Sequence, residues 1–114
     1  MTYRPMLQHR MRVGDRTPAV RLQVRERGLS RIDWAGATAA FVVVGPEGEP
    51  VELTGAAVVE QPYVELTVRY DWGSDDTGVL GVGWYRAGFR VTDAAGVVRS
   101  YPGNGWWIDL VLES

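Results

Sequence analysis

The sequence predicts an all-β protein, a single antiparallel β-sandwich of about seven to eight strands. Three observations carry that prediction. Apolar and polar residues alternate with period two through most of the chain, Gly/Pro/Asp turn clusters recur every 8 to 12 residues or so, and no stretch shows a sustained helical period. At 114 residues and 12.6 kDa there is room for one domain. With no cysteine in the chain, a disulfide framework, a thiolate zinc site and a thiol nucleophile are all excluded.

The elements follow in order. Residues 1–12 are polar and arginine-rich and are expected to form a flexible N-terminal arm, with the sandwich running from 13 to 114. In "AVRLQVRER", Val20, Leu22 and Val24 fall on one face and Arg21, Gln23 and Arg25 on the other, as a half-buried strand requires. "TAAFVVVG" is a short β-rich run closed by "GPEGEP", whose proline and glycine content marks a turn. "VELTG" and "AAVVE" read as a weak, bent strand. "YVELTVRYDW" sets Val64, Leu66, Val68, Tyr70 and Trp72 together against Glu65, Thr67, Arg69 and Asp71. "WYRAGFRVTD" points Tyr85, Ala87, Phe89 and Val91 inward and Trp84, Arg86, Arg90 and Thr92 outward. After "VVRSY" and the turn "PGNG", the last strand alternates Trp106, Ile108, Leu110 and Leu112 against Trp107, Asp109, Val111 and Glu113.

Charge is unevenly distributed. Residues 1–32 carry eight arginines against Asp15 and Glu26, or +6, while residues 33–114 carry four against twelve acids, or −8, which together give −2. All twelve basic residues are arginine, a bias that suits a GC-rich coding sequence and also bidentate interface contacts. A pI near 5.3 and the absence of a nucleic-acid-binding signature argue against DNA or RNA. The asymmetry fits charge complementarity between neighbouring subunits, or strands that interleave both signs over one surface. No apolar run approaches the roughly 18 residues of a membrane span, and the start lacks the apolar core of an export signal, so a soluble chain that is not exported is expected.

The residues that could carry chemistry are few. His9, the one histidine, lies in the arm, which is a poor place for a Ser-His-Asp arrangement. No phosphate loop or dinucleotide fingerprint occurs, and "GVLGVG" leads into a strand rather than a helix. The stretch "DWGSDDTG" gathers Asp71, Asp75 and Asp76. It lacks the D-x-[DN]-x-[DN]-G spacing and the closing glutamate of a calcium loop, and paired catalytic carboxylates need an apolar site that a Gly/Ser turn does not offer. It is expected to be a solvated, side-chain-capped turn. Neither metal, cofactor nor catalytic residue is predicted. Five tryptophans are many for this length, and exposed rings serve either as sugar-stacking platforms or as anchors of a protein interface. Alternation turns Trp84 and one of Trp106 and Trp107 outward, beside Arg86 and Arg90.

Two resemblances narrow the reading. Gly83-Trp84-Tyr85-Arg86-Ala87 resembles the tyrosine-corner strand of immunoglobulin-like domains, with Ala87 where a disulfide-bonded domain has cysteine. More widely, "VGDRTPAVRLQV", "IDWAGATAAFVVV", "VRYDWGSDDTG", "GWYRAGFRVTDAAG" and "YPGNGWWIDLVL" occur in the order in which similar motifs occur in a domain of tailed bacteriophages. That domain is the immunoglobulin-like sandwich of baseplate upper proteins and related small tail-fibre or collar proteins, and the resemblance covers about residues 13–112. The chain departs from it at Trp34-Ala35, where Leu-Thr is usual, and in a longer "GSDDTGVLGVG" loop. The resemblance would also place a long fibre extension after the sandwich, whereas a stand-alone adaptor is expected here.

The resemblance implies a non-enzymatic minor tail protein, made in the host cytoplasm and carried in the virion. It would pack as copies in a ring and attach other tail, baseplate or fibre proteins. The expected contact residues are Arg4, Arg10 and Arg12 of the arm with Trp84, Arg86 and Trp107 of the sandwich. The alternatives are a carbohydrate-binding module for host-surface glycans and a head-tail junction or capsid-decorating protein.

Overall fold

A computed structural model describes residues 7–25, 32–61, 63, 65–103 and 107–114. Among the described residues nine strands and one short helix follow in order: β1 (Gln8–Arg12), β2 (Val20–Val24), β3 (Thr38–Val44), β4 (Pro50–Val51), β5 (Ala56–Val59), β6 (Leu66–Asp71), α1 (Asp76–Leu80), β7 (Gly83–Thr92), β8 (Val98–Tyr101) and β9 (Ile108–Glu113). They form two sheets, one of six strands in the order β1-β9-β7-β3-β4 with β8 also on β7, and one of three strands in the order β2-β6-β5. The sandwich expected from alternation is the fold observed. No described helix is long and apolar enough to cross a membrane.

All pairings are antiparallel except that of β1, which lies parallel on β9 from Gln8↔Asp109 to Arg12↔Glu113. The arm boundary therefore shifts. Residues 8–12, expected to be flexible, are a strand, because alternation holds there too and Met11 is 6% exposed in the core. Residues 1–6, including Arg4, lie outside the described residues. His9 is accordingly fixed. Its Nε2 lies 3.2 Å from the Pro18 carbonyl and its ring 6.5 Å from that of Trp72. Burial lowers its pKa below the ordinary histidine value.

The core sits between the inward faces. Phe41 of the larger sheet stacks on Tyr70 of the smaller at 4.3 Å between centroids, and Phe89 and Trp72 flank this pair at 5.0 and 5.9 Å from Phe41. Each such aromatic contact adds about 0.5–1.5 kcal/mol beyond the area it buries. Trp34, on the approach to β3, is fully buried.

Turn chemistry closes the hairpins. In the β3–β4 turn Gly45 N donates to Glu49 O at 2.8 Å and Gly48 takes φ +85°, a conformation that favours glycine. In the β7–β8 turn the Asp93 carboxylate accepts from Ala95 N and Val97 N at 3.0 Å and from Arg99 at 2.7 Å. Those donors hold the Asp93 carboxyl below its usual range, Arg99 contributing most.

Candidate interaction face

Register decides which side chains share a surface. Arg10 of β1, Val111 of β9 and Trp84 of β7 are cross-strand neighbours in one row, and Gln8, Asp109, Arg86 and Val44 form the next. Since Ile108, Leu110 and Leu112 turn into the core, period two sends both rows to the outer face of the larger sheet. Arg12 joins them opposite Glu113, and Arg90, Ser100 and Val98 continue the same face toward β8. Of the six expected contact residues, the five that are described, Arg10, Arg12, Trp84, Arg86 and Trp107, thus lie on one face.

Two indoles stand out on it. Trp84 is 56% exposed, with the Arg10 guanidinium over its ring at 5.9 Å, while Arg10 also ion-pairs with Glu113. Between Arg10 and Trp84, Val111 is only 3% exposed, although alternation alone turns it outward. Trp107, 36% exposed, lies over Gly88, where a Cβ would meet its ring at 3.7 Å and the Tyr101 carbonyl at 2.9 Å. A side chain at position 88 would fit beneath the indole at van der Waals distance but would press on the Tyr101 carbonyl. Trp106 is outside the described residues.

Arg12, Arg86 and Arg90 form no ion pair with any described residue. Beside Arg86 a groove of about 330 Å³ separates Trp84, Arg86 and Asp109 from Gly45 and Pro46 of the β3–β4 turn.

The smaller sheet presents the opposite case. On its outer face Arg21 and Arg69 both reach Glu60, at 2.6 and 2.9 Å, Arg69 also holds Asp71 at 2.9 Å, and Gln23 donates to Glu65 at 2.7 Å. Arg21 first, then Arg69, keeps the Glu60 carboxyl below its usual range. Most charges here pair within the chain, as on a solvated face, while among the described residues exposed Arg25 donates only to Gln23 at 3.3 Å.

The acidic stretch "DWGSDDTG" departs from expectation. Asp71 is exposed and paired with Arg69, and Asp75 is exposed and makes no side-chain cap at α1. Asp76, expected to be solvated, is 1% exposed and is the hub of a buried network. Its Oδ1 accepts from Thr54 N and Thr54 Oγ1 at 2.7 and 2.9 Å. Its Oδ2 accepts from Gly73 N at 2.7 Å, Gly55 N at 3.1 Å and the Tyr70 hydroxyl. Burial alone would raise this carboxyl's pKa, but the Thr54 N–H, the Tyr70 hydroxyl, Gly73 N–H and the Thr54 hydroxyl together bring it below the ordinary value. Burial and then Asp76 push the Tyr70 hydroxyl well up. The network ties the strand-end turn to the segment between β4 and β5 and braces the sandwich.

Nothing local in the sequence separates Asp76 from its neighbours. The one signal is the earlier Thr54-Gly55, distant in sequence, that supplies three of its donors. Among the described residues no three His, Cys, Asp or Glu side chains gather closely enough to hold a metal ion.

No protein-family model matches this chain, and no curated protein matches it in sequence.

Proposed function

We propose that the chain is a non-enzymatic structural component of a tailed-bacteriophage virion, an adaptor that associates with its own copies and with other tail, baseplate or fibre proteins. One observation carries the reading: the two outer faces are built differently. On the smaller sheet Arg21, Arg69, Glu60 and Asp71 pair with one another, whereas the larger exposes two indoles among arginines, three of which form no ion pair with any described residue. Aromatic rings with arginine are the side chains that anchor protein interfaces.

The immunoglobulin-like reading gains support from the pairing of β2, β6 and β5 against β9, β7 and β3, the seven-strand pattern of such domains less its first strand, with β1 and β4 flanking the second sheet. Tyr85, at the start of β7, donates its hydroxyl to the Leu80 carbonyl. The ordered motifs that resemble phage tail sandwiches supply the rest of the argument. In particles purified from a tailed phage that encodes this chain, peptide mass spectrometry should find it at fixed stoichiometry with the tail proteins. Particles that lack it would overturn the virion assignment.

A second reading rests on the groove beside Trp84. An exposed indole with Arg86 and Asp109 offers a stacking surface with a donor and an acceptor, the combination that holds a sugar ring. Calorimetric titration of the isolated protein with host-surface oligosaccharides separates the two. Heat of binding that vanishes in Trp84→Ala favours the sugar, and silence favours the adaptor.

A further inference from the structure

The strand order of the larger sheet separates opposite charges. β1 forms one edge and carries Arg10 and Arg12 with no acid between Leu7 and Arg12; Arg10 is paired with Glu113 of β9, so two bases against that one acid leave the edge a net charge of +1, held by Arg12. The other edge is β4 with the turn before it, and residues 45–52 hold Glu47, Glu49 and Glu52 with no base, a charge of −3. All three glutamates are exposed, as are Arg10 and Arg12.

The two edges lie four strand spacings apart, about 19 Å at about 4.8 Å each. The screening length in physiological salt is about 8 Å, so within one copy these charges scarcely neutralise each other.

Both edges are also open. Among the described residues no strand pairs with the far side of β1, and β4 pairs only with Val43 and Val44 of β3, leaving Thr38–Val42 without a hydrogen-bonded strand on that side. β1 runs parallel to β9, and β9 and β3 are each antiparallel to β7, so β1 and β3 point the same way. A second copy set alongside with its strands aligned therefore brings β1 against β4, basic edge to acidic edge.

Resting on the proposed self-association, we infer that copies of this chain join head to tail through these edges, β1 of one copy against the β3–β4 edge of the next. Such a contact is heterologous, so each copy offers one half on either side and further copies can add. It leaves Trp84 and Trp107 free for a different tail protein.

Charge reversal tests the contact by sedimentation velocity at low salt, with thermal melting to confirm that each variant folds. Arg10→Glu/Arg12→Glu makes both edges acidic, and Glu47→Arg/Glu52→Arg makes both basic. Each alone should weaken self-association by about tenfold or more. Mixed in equal amounts, the two should assemble again, because every junction then joins opposite charges.

Because the second variant alters only exposed residues in and beside a turn, it keeps the test decisive if the first frays β1. A wild type that assembles while both variants assemble equally well would overturn the edge contact and leave the adaptor reading standing. Variants that stay apart when mixed would also overturn it. A wild type that remains monomeric at its highest soluble concentration would overturn self-association itself.

Discussion

Replacing Asp76 with alanine removes the acceptor of five hydrogen bonds while leaving their donors in place. Bonds to a charged group contribute about 1.5–3 kcal/mol each, but they are not additive and water can reach the partly buried N–H groups of Thr54, Gly55 and Gly73. A net loss of about 3–5 kcal/mol follows. With an unfolding entropy of about 2.1 cal/mol/K per residue, 114 residues give about 0.24 kcal/mol/K, or about 4 °C per kcal/mol. Tm should fall by about 12–20 °C.

Asp76→Asn should cost nearly as much, since its NH2 must face either the Thr54 N–H or the cluster of Gly73, Gly55 and Tyr70 donors. Asp75→Ala, one residue away and exposed, should stay within about 0.5 kcal/mol. Because the folded Asp76 carboxyl titrates below its unfolded value, its stabilisation is present above the unfolded pKa and lost as pH falls through the folded one. The Asp76 variants should therefore lose less stability on acidification than wild type does. Urea unfolding of all four proteins from neutral pH downward is the assay. An Asp76→Ala protein within 1 kcal/mol of wild type, or one with the wild-type acid dependence, would refute the hub.

The same brace makes Gly55 intolerant of a side chain. A Cβ there would lie 2.1 Å from the Asp71 carbonyl and 2.4 Å from the Tyr70 hydroxyl, so Gly55→Ala should cost about 1–3 kcal/mol in urea unfolding, and a neutral result would contradict the packing described. At the β7–β8 turn, Asp93→Ala removes the acceptor for Ala95, Val97 and Arg99 and should cost about 1–2 kcal/mol, measured by Tm; an unchanged Tm would show the turn holds without it.

The sandwich was legible because burial in two-sheet packing imposes period two, and β7 and β9 obey it residue by residue, excepting Val111 and Gly88, which lies under Trp107. Alternation also turned Trp84 and Arg86 outward correctly, and so anticipated the aromatic face. The face became a unit only through register, which aligns Arg10, Val111 and Trp84 across residues far apart in sequence. β1 was missed because its alternation is carried by His9 and Met11 among polar neighbours, a weak signal until β9 supplies a partner. Asp76 was misjudged for a related reason. Local composition describes a turn, but burial of one carboxylate among three depends on donors that arrive from Thr54 and Gly55.

Hydroxyl-radical footprinting compares the two outer faces directly, in the dilute chain and in the assembled particle. Trp84 and Trp107 should be labelled in the dilute protein and protected in the particle, while residues around the Arg21–Glu60–Arg69 network should be labelled alike in both. Equal labelling of Trp84 in both states, with protection appearing over the smaller sheet instead, would contradict the assignment of the larger sheet's outer face as the surface of assembly.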